Sequence, residues 1–196
     1  MQVTEAKRLV VGISGASGAI LGIELLKAMN AMPGWETHLV ISNGARRTIG
    51  LETALTVEEV AALATRHHPI EDVGALVASG TFKTAGMVVV PCSMKTVAGV
   101  ASGYSDNLLL RAADVVLKER RRLVLVAREA PLSLVHLRNL QTAAELGAVI
   151  LPPVLTFYNR PASIQDMTRH VIGKILDVFD LELPGFRRWG SGPEGS

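Results

Sequence analysis

Strand-like and helix-like patterns alternate along the whole chain, which predicts an α/β fold: one doubly wound parallel sheet with helices on both faces. Two further observations point the same way. Met87–Pro91 is a short, wholly apolar run, as expected of a strand covered on both faces in the middle of a parallel sheet. The stretch Gly12-Ile-Ser-Gly-Ala-Ser-Gly-Ala19 lies between the apolar run Leu9–Val11 and the helical pattern Ile20–Leu26, so a strand runs through a small-residue turn into a helix. The 196 residues suit one domain, 1–196, with a full core, and the Gly- and Pro-rich stretch 184–196 reads as a loose tail.

The elements follow in order. Arg8–Ile13 is the first strand and Gly18–Asn30 the first helix; Met32-Pro33-Gly34 turns the chain into a strand over Glu36–Ser42. Ser42 can cap a helix from Ala45 to about Glu52. Thr56–Thr65 reads as another helix, broken by His67-His68-Pro69, with both histidines expected in a surface loop. After the apolar strand, Val97–Ala101 and Asn107–Arg120 are helical, and Leu123–Ala127 is the next strand. Ser133–Leu146 is a helix, Ala148–Leu151 a short strand, and Ser163–Leu181 the last helix, with Ser163 and Asp166 forming a capping-box-like start. Asp177 and Asp180 are expected on its solvent face.

Composition excludes several classes. The net charge of +2 is too small to argue for nucleic acid, and aromatic residues, at 4%, leave little for bases to stack on. The single cysteine, Cys92, rules out a disulfide framework and a cysteine metal site. Apolar runs are strand-length, far short of the ~18 residues of a membrane span. The first residues carry no signal-peptide pattern, so a cytoplasmic enzyme or binding protein is expected. Charged residues make up 19%, below the roughly 25% of ordinary domains, which suggests either surface buried against copies of the chain or a well-filled α/β core.

In doubly wound sheets, ligands bind at the carboxyl ends of the strands. The residues expected there are Ser14–Ser17, Ser42, Ser93–Thr96, Arg128-Glu129 and the segment after Leu151. Read from Gly12 the turn is G-x-x-G-x-x-G, not the dinucleotide pattern G-x-G-x-x-G, which favours a mononucleotide or small phosphate over NAD. Backbone N–H groups of the first helical turn can face such an anion, or the turn can be a tight connection with no ligand. Ser93 and Thr96 open a second hydroxyl-rich helix start, for which ordinary capping by Ser93 is the simpler account. Arg111 sits in an apolar helix and needs a partner, either Asp114 or an anionic substrate; Lys118 lies seven residues on, along the same face. Arg120–Arg122 read as a solvated helix end. Glu129 is an acid–base candidate or the ion-pair partner of Arg128, and Glu52 is the other candidate carboxylate. His136 reads as a hydrogen-bonded helix residue.

With these residues in view, the chain resembles the UbiX-type flavin prenyltransferases over nearly its whole length. The likeness rests on Gly12–Ala19, Val40–Ser42, Glu52-Thr53, the Pro91-Cys-Ser-x-x-Thr96 block, the helix Asn107–Arg121 and Val126-x-Arg-Glu-x-Pro-x-Ser-x-x-His-Leu. It continues through Gly147–Pro153, Phe157-Tyr-x-x-Pro and Arg188-Trp189, all in order. The resemblance implies a flavodoxin-like, Rossmann-type three-layer sandwich assembled as a homododecamer. It implies transfer of a dimethylallyl group, from the monophosphate or diphosphate, to N5 and C6 of reduced FMN without a metal. The product, prenylated FMN, would serve a UbiD-type decarboxylase. Carried over by position, FMN would meet Gly15, Ala16, Ser17, Ser42, Ser93, Met94, Lys95, Thr96 and Arg128. The prenyl phosphate would meet Ser17, Arg111, Lys118, Glu129, Tyr158 and Lys174, where relatives carry Arg or Lys. Ser17, Glu52, Lys118, Glu129 and Trp189 would serve catalysis: Glu52 and Glu129 in proton transfer, Trp189 by closing over the site within an ordered tail. An FMN-dependent cysteinyl decarboxylase shares the architecture, but its Pro-x-Met-Asn-x-x-Met-Trp block is absent from this sequence. A non-catalytic flavin carrier would not need Arg111, Lys118 and Lys174.

Overall fold

Strand β1 (Lys7–Ile13) and helix α1 (Ala19–Asn30) open the chain, and β2 (Trp35–Ile41) and α2 (Asn43–Glu52) repeat the unit. The computed structural model describes residues 6–190. A short helix α3 (Val57–Ala61), strand β3 (Arg66–His68) and a single 3-10 turn (Leu76–Ala78) lead to β4 (Gly86–Cys92). Helices α4 (Met94–Ser102) and α5 (Leu108–Lys118) precede β5 (Arg122–Ala127); α6 (Leu134–Glu145), β6 (Ala148–Ile150) and α7 (Ile164–Val178) complete the fold. All strand pairs are parallel, in the order β3-β2-β1-β4-β5-β6. The order reverses between β1 and β4, which is where such sheets bind ligands.

Alternation along the strands makes two cores. Leu9, Val11, Ile13, Val88, Val90, Val124 and Val126 face one side and pack under α1, α2 and α7. Val10, Met87, Val89, Leu123 and Leu125 face the other and pack under α4 and α5. Helix α1 lies so close to the sheet that a Cβ at Gly22 would stand 2.6 Å from the Val90 carbonyl oxygen, so only glycine fits.

The predicted architecture holds, with local corrections. The helix expected over Thr56–Thr65 ends at Ala61, although Thr56 and Glu59 form a full capping box. Helix α4 begins three residues before its predicted start, because the Ser93 hydroxyl accepts from Thr96 N and caps it there. His67 and His68 are not a surface loop: they pair with Leu39 and Val40 as edge strand β3, and His68 is buried. Its Nε2 lies 2.9 Å from His38 Nδ1, with the two rings stacked and Phe82 edge-on against His38.

Burial and the neighbouring His68, with Arg8 and Arg66 adding to them, push His38 down to about 4 against the pull of Glu36. The folded value lies below the unfolded one, so the unfolded chain takes up the proton first. The pair's contribution is therefore complete above ~6.5 and is lost as pH falls through 4. Urea unfolding should show stability dropping by about 1–3 kcal/mol between roughly pH 7 and 4.5, and His38→Phe should flatten that drop.

Candidate functional site

The loops after β1 and β4 meet at the reversal of strand order. Ser14 joins them. Its buried hydroxyl donates to the Pro91 carbonyl (3.1 Å) and accepts from Ser93 N (2.7 Å), and its own N–H also bonds Pro91 O. Beside this joint the turn after β1 and the first turn of α2 touch backbone to backbone. A Cβ on Gly15 would stand 2.9 Å from Gly44 Cα, and one on Gly44 3.0 Å from Gly15 Cα. Gly15 thus lets the turn close against α2, and Gly18 enters α1 at φ 107°, in the left-handed region.

Three helices start on this rim. Ser42 caps α2 by accepting from Ala45 N (3.2 Å). Ser93 caps α4, and its Oγ lies 3.1 Å from Thr96 Oγ1, so Thr96 belongs to the same hydroxyl pair. The start of α1 is filled by the chain itself: Glu52 Oε2 accepts from Gly18 N (2.8 Å) and Ala19 N (2.9 Å), and the Ser17 hydroxyl bonds it too. In this ligand-free chain, Glu52 occupies the N–H groups expected to face a phosphate. Desolvation raises the Glu52 pKa, but those three hydrogen bonds and the charge of Arg128 outweigh it and hold the carboxyl below its usual value.

Arg128 extends the rim beyond β5, its N–H bonded to Cys92 O. Glu129 follows it but does not pair with it: its Oε1 accepts from Ala130 N at 3.0 Å. Ser17, Lys95, Arg128 and Glu129 are exposed, while Ala16, Met94 and Thr96 are buried beneath them. The rim therefore joins Gly15, Ala16, Ser17, Ser42, Glu52, Ser93–Thr96 and Arg128-Glu129.

The remaining predicted residues lie elsewhere. Arg111, in the first turns of α5, is bound to Asp114 Oδ2 at 2.8 Å. Helix α5 runs antiparallel to the strands, so Lys118, seven residues or about 10 Å further on, stands toward the opposite edge of the sheet, against Glu119. Lys174 is on α7, whose far end is tied to the start of β5 by Arg122 Nη1 and the Val178 carbonyl. Tyr158 and Trp189 meet edge to face, ring centroids 5.2 Å apart, beside this helix. Among the described residues, no hydrogen bond or ion pair joins Arg111, Lys118, Lys174, Tyr158 or Trp189 to the rim.

Several residues are less solvated than the sequence suggested. The Arg121 guanidinium donates to the Gly80 and Phe82 carbonyls, and Arg122 reaches Asp180, so of the three arginines only Arg120 fits a solvated helix end. Asp177 is bidentate with Arg188, which fastens the tail to α7; the tail is ordered through Gly190, and the rest of 184–196 lies outside the described residues. His136 completes a capping box with Ser133. Sequence reasoning missed His170, Phe186 and Gly44. For His170 a signal existed: His170, Gly173, Lys174 and Asp177 follow the i, i+3, i+4, i+7 spacing of one helix face.

The flavoprotein family profile matches residues 2–180. Flavin prenyltransferase UbiX of Escherichia coli strain K12 is 54% identical over 185 residues, 93% of this chain and 98% of its own. The structure described as AnUbiX (PadA1) in complex with FMN and dimethylallyl pyrophosphate superposes with a TM-score of 0.93 at 51% identity, covering 95% of this chain and 99% of that one. A dodecameric FMN-dependent UbiX-like decarboxylase from Escherichia coli O157:H7 gives 0.91 at 52% identity, covering 93% and 98%.

Because Glu52 closes the start of α1, Glu52→Ala should lower stability by about 1 kcal/mol in urea unfolding. Added inorganic phosphate should restore part of that loss by occupying the N–H groups left open.

Proposed function

The chain belongs to the flavoprotein family and, within it, to the UbiX-type flavin prenyltransferases, and from that membership we propose how its residues share the work. It transfers a dimethylallyl group from a prenyl phosphate to N5 and C6 of reduced FMN, and UbiD-type decarboxylases use the prenylated FMN it makes. One observation carries the division of labour. The rim at the β1/β4 reversal offers donors for one flavin, while Arg111, Lys118 and Lys174 form a separate set of cations that the single phosphate of FMN does not need.

FMN fits the crevice. The Gly15–Gly44 contact keeps its floor low, and the starts of α2 and α4 present hydroxyls and N–H groups. In this reading Gly15, Ala16, Ser17, Ser42, Ser93, Met94, Lys95, Thr96 and Arg128 hold FMN, which supplies the nucleophilic ring atoms when bound. Arg111, Lys118, Lys174 and Tyr158 hold the prenyl phosphate and stabilise the charge it gains as it leaves. The faces of Tyr158 and Trp189 shield the electron-poor allyl group. Glu129 takes the proton from C6, where the new carbon–carbon bond must be followed by loss of hydrogen to restore the ring. Glu52, kept ionised at the start of α1, exchanges protons with the rim through Ser17.

The two sets of residues meet only between copies of the chain. The isolated chain leaves Leu134, Val135, Val154, Leu155 and Phe157 exposed, from 61% to 70%, on α6 and the segment after β6. A dodecamer like that of the Escherichia coli O157:H7 protein would cover such surface and bring cations of one copy to the rim of another. Among the described residues no helix is long and apolar enough to cross a membrane; we place the enzyme in the cytoplasm, with residues 184–196 as the strap that closes its site.

The decisive experiment mixes the protein with reduced FMN and dimethylallyl phosphate without oxygen and weighs the flavin, which should gain one dimethylallyl unit. Glu129→Gln should bind FMN normally yet turn over about 10²–10⁴ times more slowly. Normal turnover in that variant would leave the departed phosphate as the base. Lys118→Ala and Lys174→Ala should weaken the prenyl donor more than FMN, and light scattering should report a large oligomer rather than a monomer.

A further inference from the structure

His170 is 6% exposed in the middle of α7, and neither the flavin rim nor the phosphate cations account for it. Two aromatic rings lie against it, and a third lies against one of those. Its Nε2 lies 3.5 Å from the Tyr158 hydroxyl, with the two rings edge to face at 5.6 Å. Phe186 from the tail lies against its other side at 5.3 Å. Tyr158 in turn meets Trp189. The helix makes room for this group at Gly173, where a Cβ would stand 2.3 Å from the Phe186 ring. The Arg188–Asp177 pair holds the tail one turn further along.

The hydrogen-bonding of the imidazole decides what this cluster does. His170 Nδ1 is buried with no partner. A buried N–H without an acceptor is a rare and costly arrangement, so the tautomer assigned here carries its proton on Nε2 and leaves Nδ1 bare. Nε2–H then donates to the Tyr158 oxygen, and the phenol keeps its own proton to give elsewhere. Burial and the adjacent Lys174 lower the His170 pKa, against the pull of Asp177, and so favour the neutral ring. Lys174 shares the helix face with His170, one turn away, so an anion held by Lys174 lies on the side to which the phenol can donate.

We propose that His170 is a positioning residue for prenyl transfer: it donates to the Tyr158 oxygen and thereby leaves the phenol proton directed at the prenyl phosphate. This rests on the reading of Tyr158 and Lys174 as phosphate-binding residues.

The test is calorimetric binding of dimethylallyl phosphate to the protein loaded with oxidised FMN, which is not the acceptor, so no turnover intervenes. His170→Phe keeps the ring contacts and should weaken dimethylallyl phosphate about 3- to 10-fold, with FMN affinity unchanged. His170→Gln carries an amide N–H near the position of Nε2 and should bind as the wild type does, which separates hydrogen bonding from packing against Phe186. The double variant His170→Phe/Tyr158→Phe should be no weaker than Tyr158→Phe alone. Wild-type binding in His170→Phe, an equal loss in His170→Gln, or losses that multiply in the double variant would each overturn the inference. Should His170→Phe fail to fold, a loss in His170→Gln as large as that in Tyr158→Phe overturns it, and wild-type affinity in His170→Gln beside a weakened Tyr158→Phe supports it. Absence of dimethylallyl phosphate binding in the wild type is a different result, and removes the phosphate-site reading itself.

Discussion

A single buried hydroxyl holds the fold together where its two halves part. The chain leaves β1 and β4 toward opposite faces of the sheet, and the backbone bond from Ser14 N–H to Pro91 O carries their ladder one residue past β1. Ser14 bonds across that gap to Pro91 O and Ser93 N, so the crevice between the loops has fixed walls before any ligand arrives. Everything at the rim refers to this joint. Ser93 is placed by it and then caps α4; Gly15, next to Ser14, brings in the start of α2 through Gly44. A preorganised site of this kind spends little of its binding energy on ordering itself.

The architecture was legible in the sequence because it rests on local signals. Apolar runs of strand length, caps at Ser42, Ser93, Ser133 and Ser163 and the glycine turn after β1 each report their own segment. The rim was legible for the same reason, since residues at strand ends follow from topology alone. Glu52 taking the start of α1 was not legible, because it depends on two segments more than thirty residues apart meeting in space. The His38–His68 pair failed similarly: the histidine-rich stretch before Pro69 reads as a loop, and only its pairing with β2 buries it. The family resemblance named Tyr158, Lys174 and Trp189, but the ring contacts that join Tyr158 to His170 and Trp189 bring together three separate segments and no motif records them.

Charge and apolar surface are distributed in a way that a single chain does not use. The cations expected to serve the prenyl donor stand away from the crevice, and large apolar side chains on α6 and after β6 face outward. Both facts have one explanation if the working unit is an assembly: a hydrophobic interface and a shared site are the same surface seen from two copies.

Gly173 shows what the tail asks of the rest of the chain. In the interior of a helix glycine is a poor choice, about 1 kcal/mol worse than alanine. The residue is kept small by a ring thirteen positions later in sequence, because Phe186 rests where any side chain would stand. What stands at 173 is thus constrained by what stands at 186. A descendant that lost the aromatic residue at 186 would be released to fill position 173, and one that filled 173 first would have lost the seat of its own C-terminus.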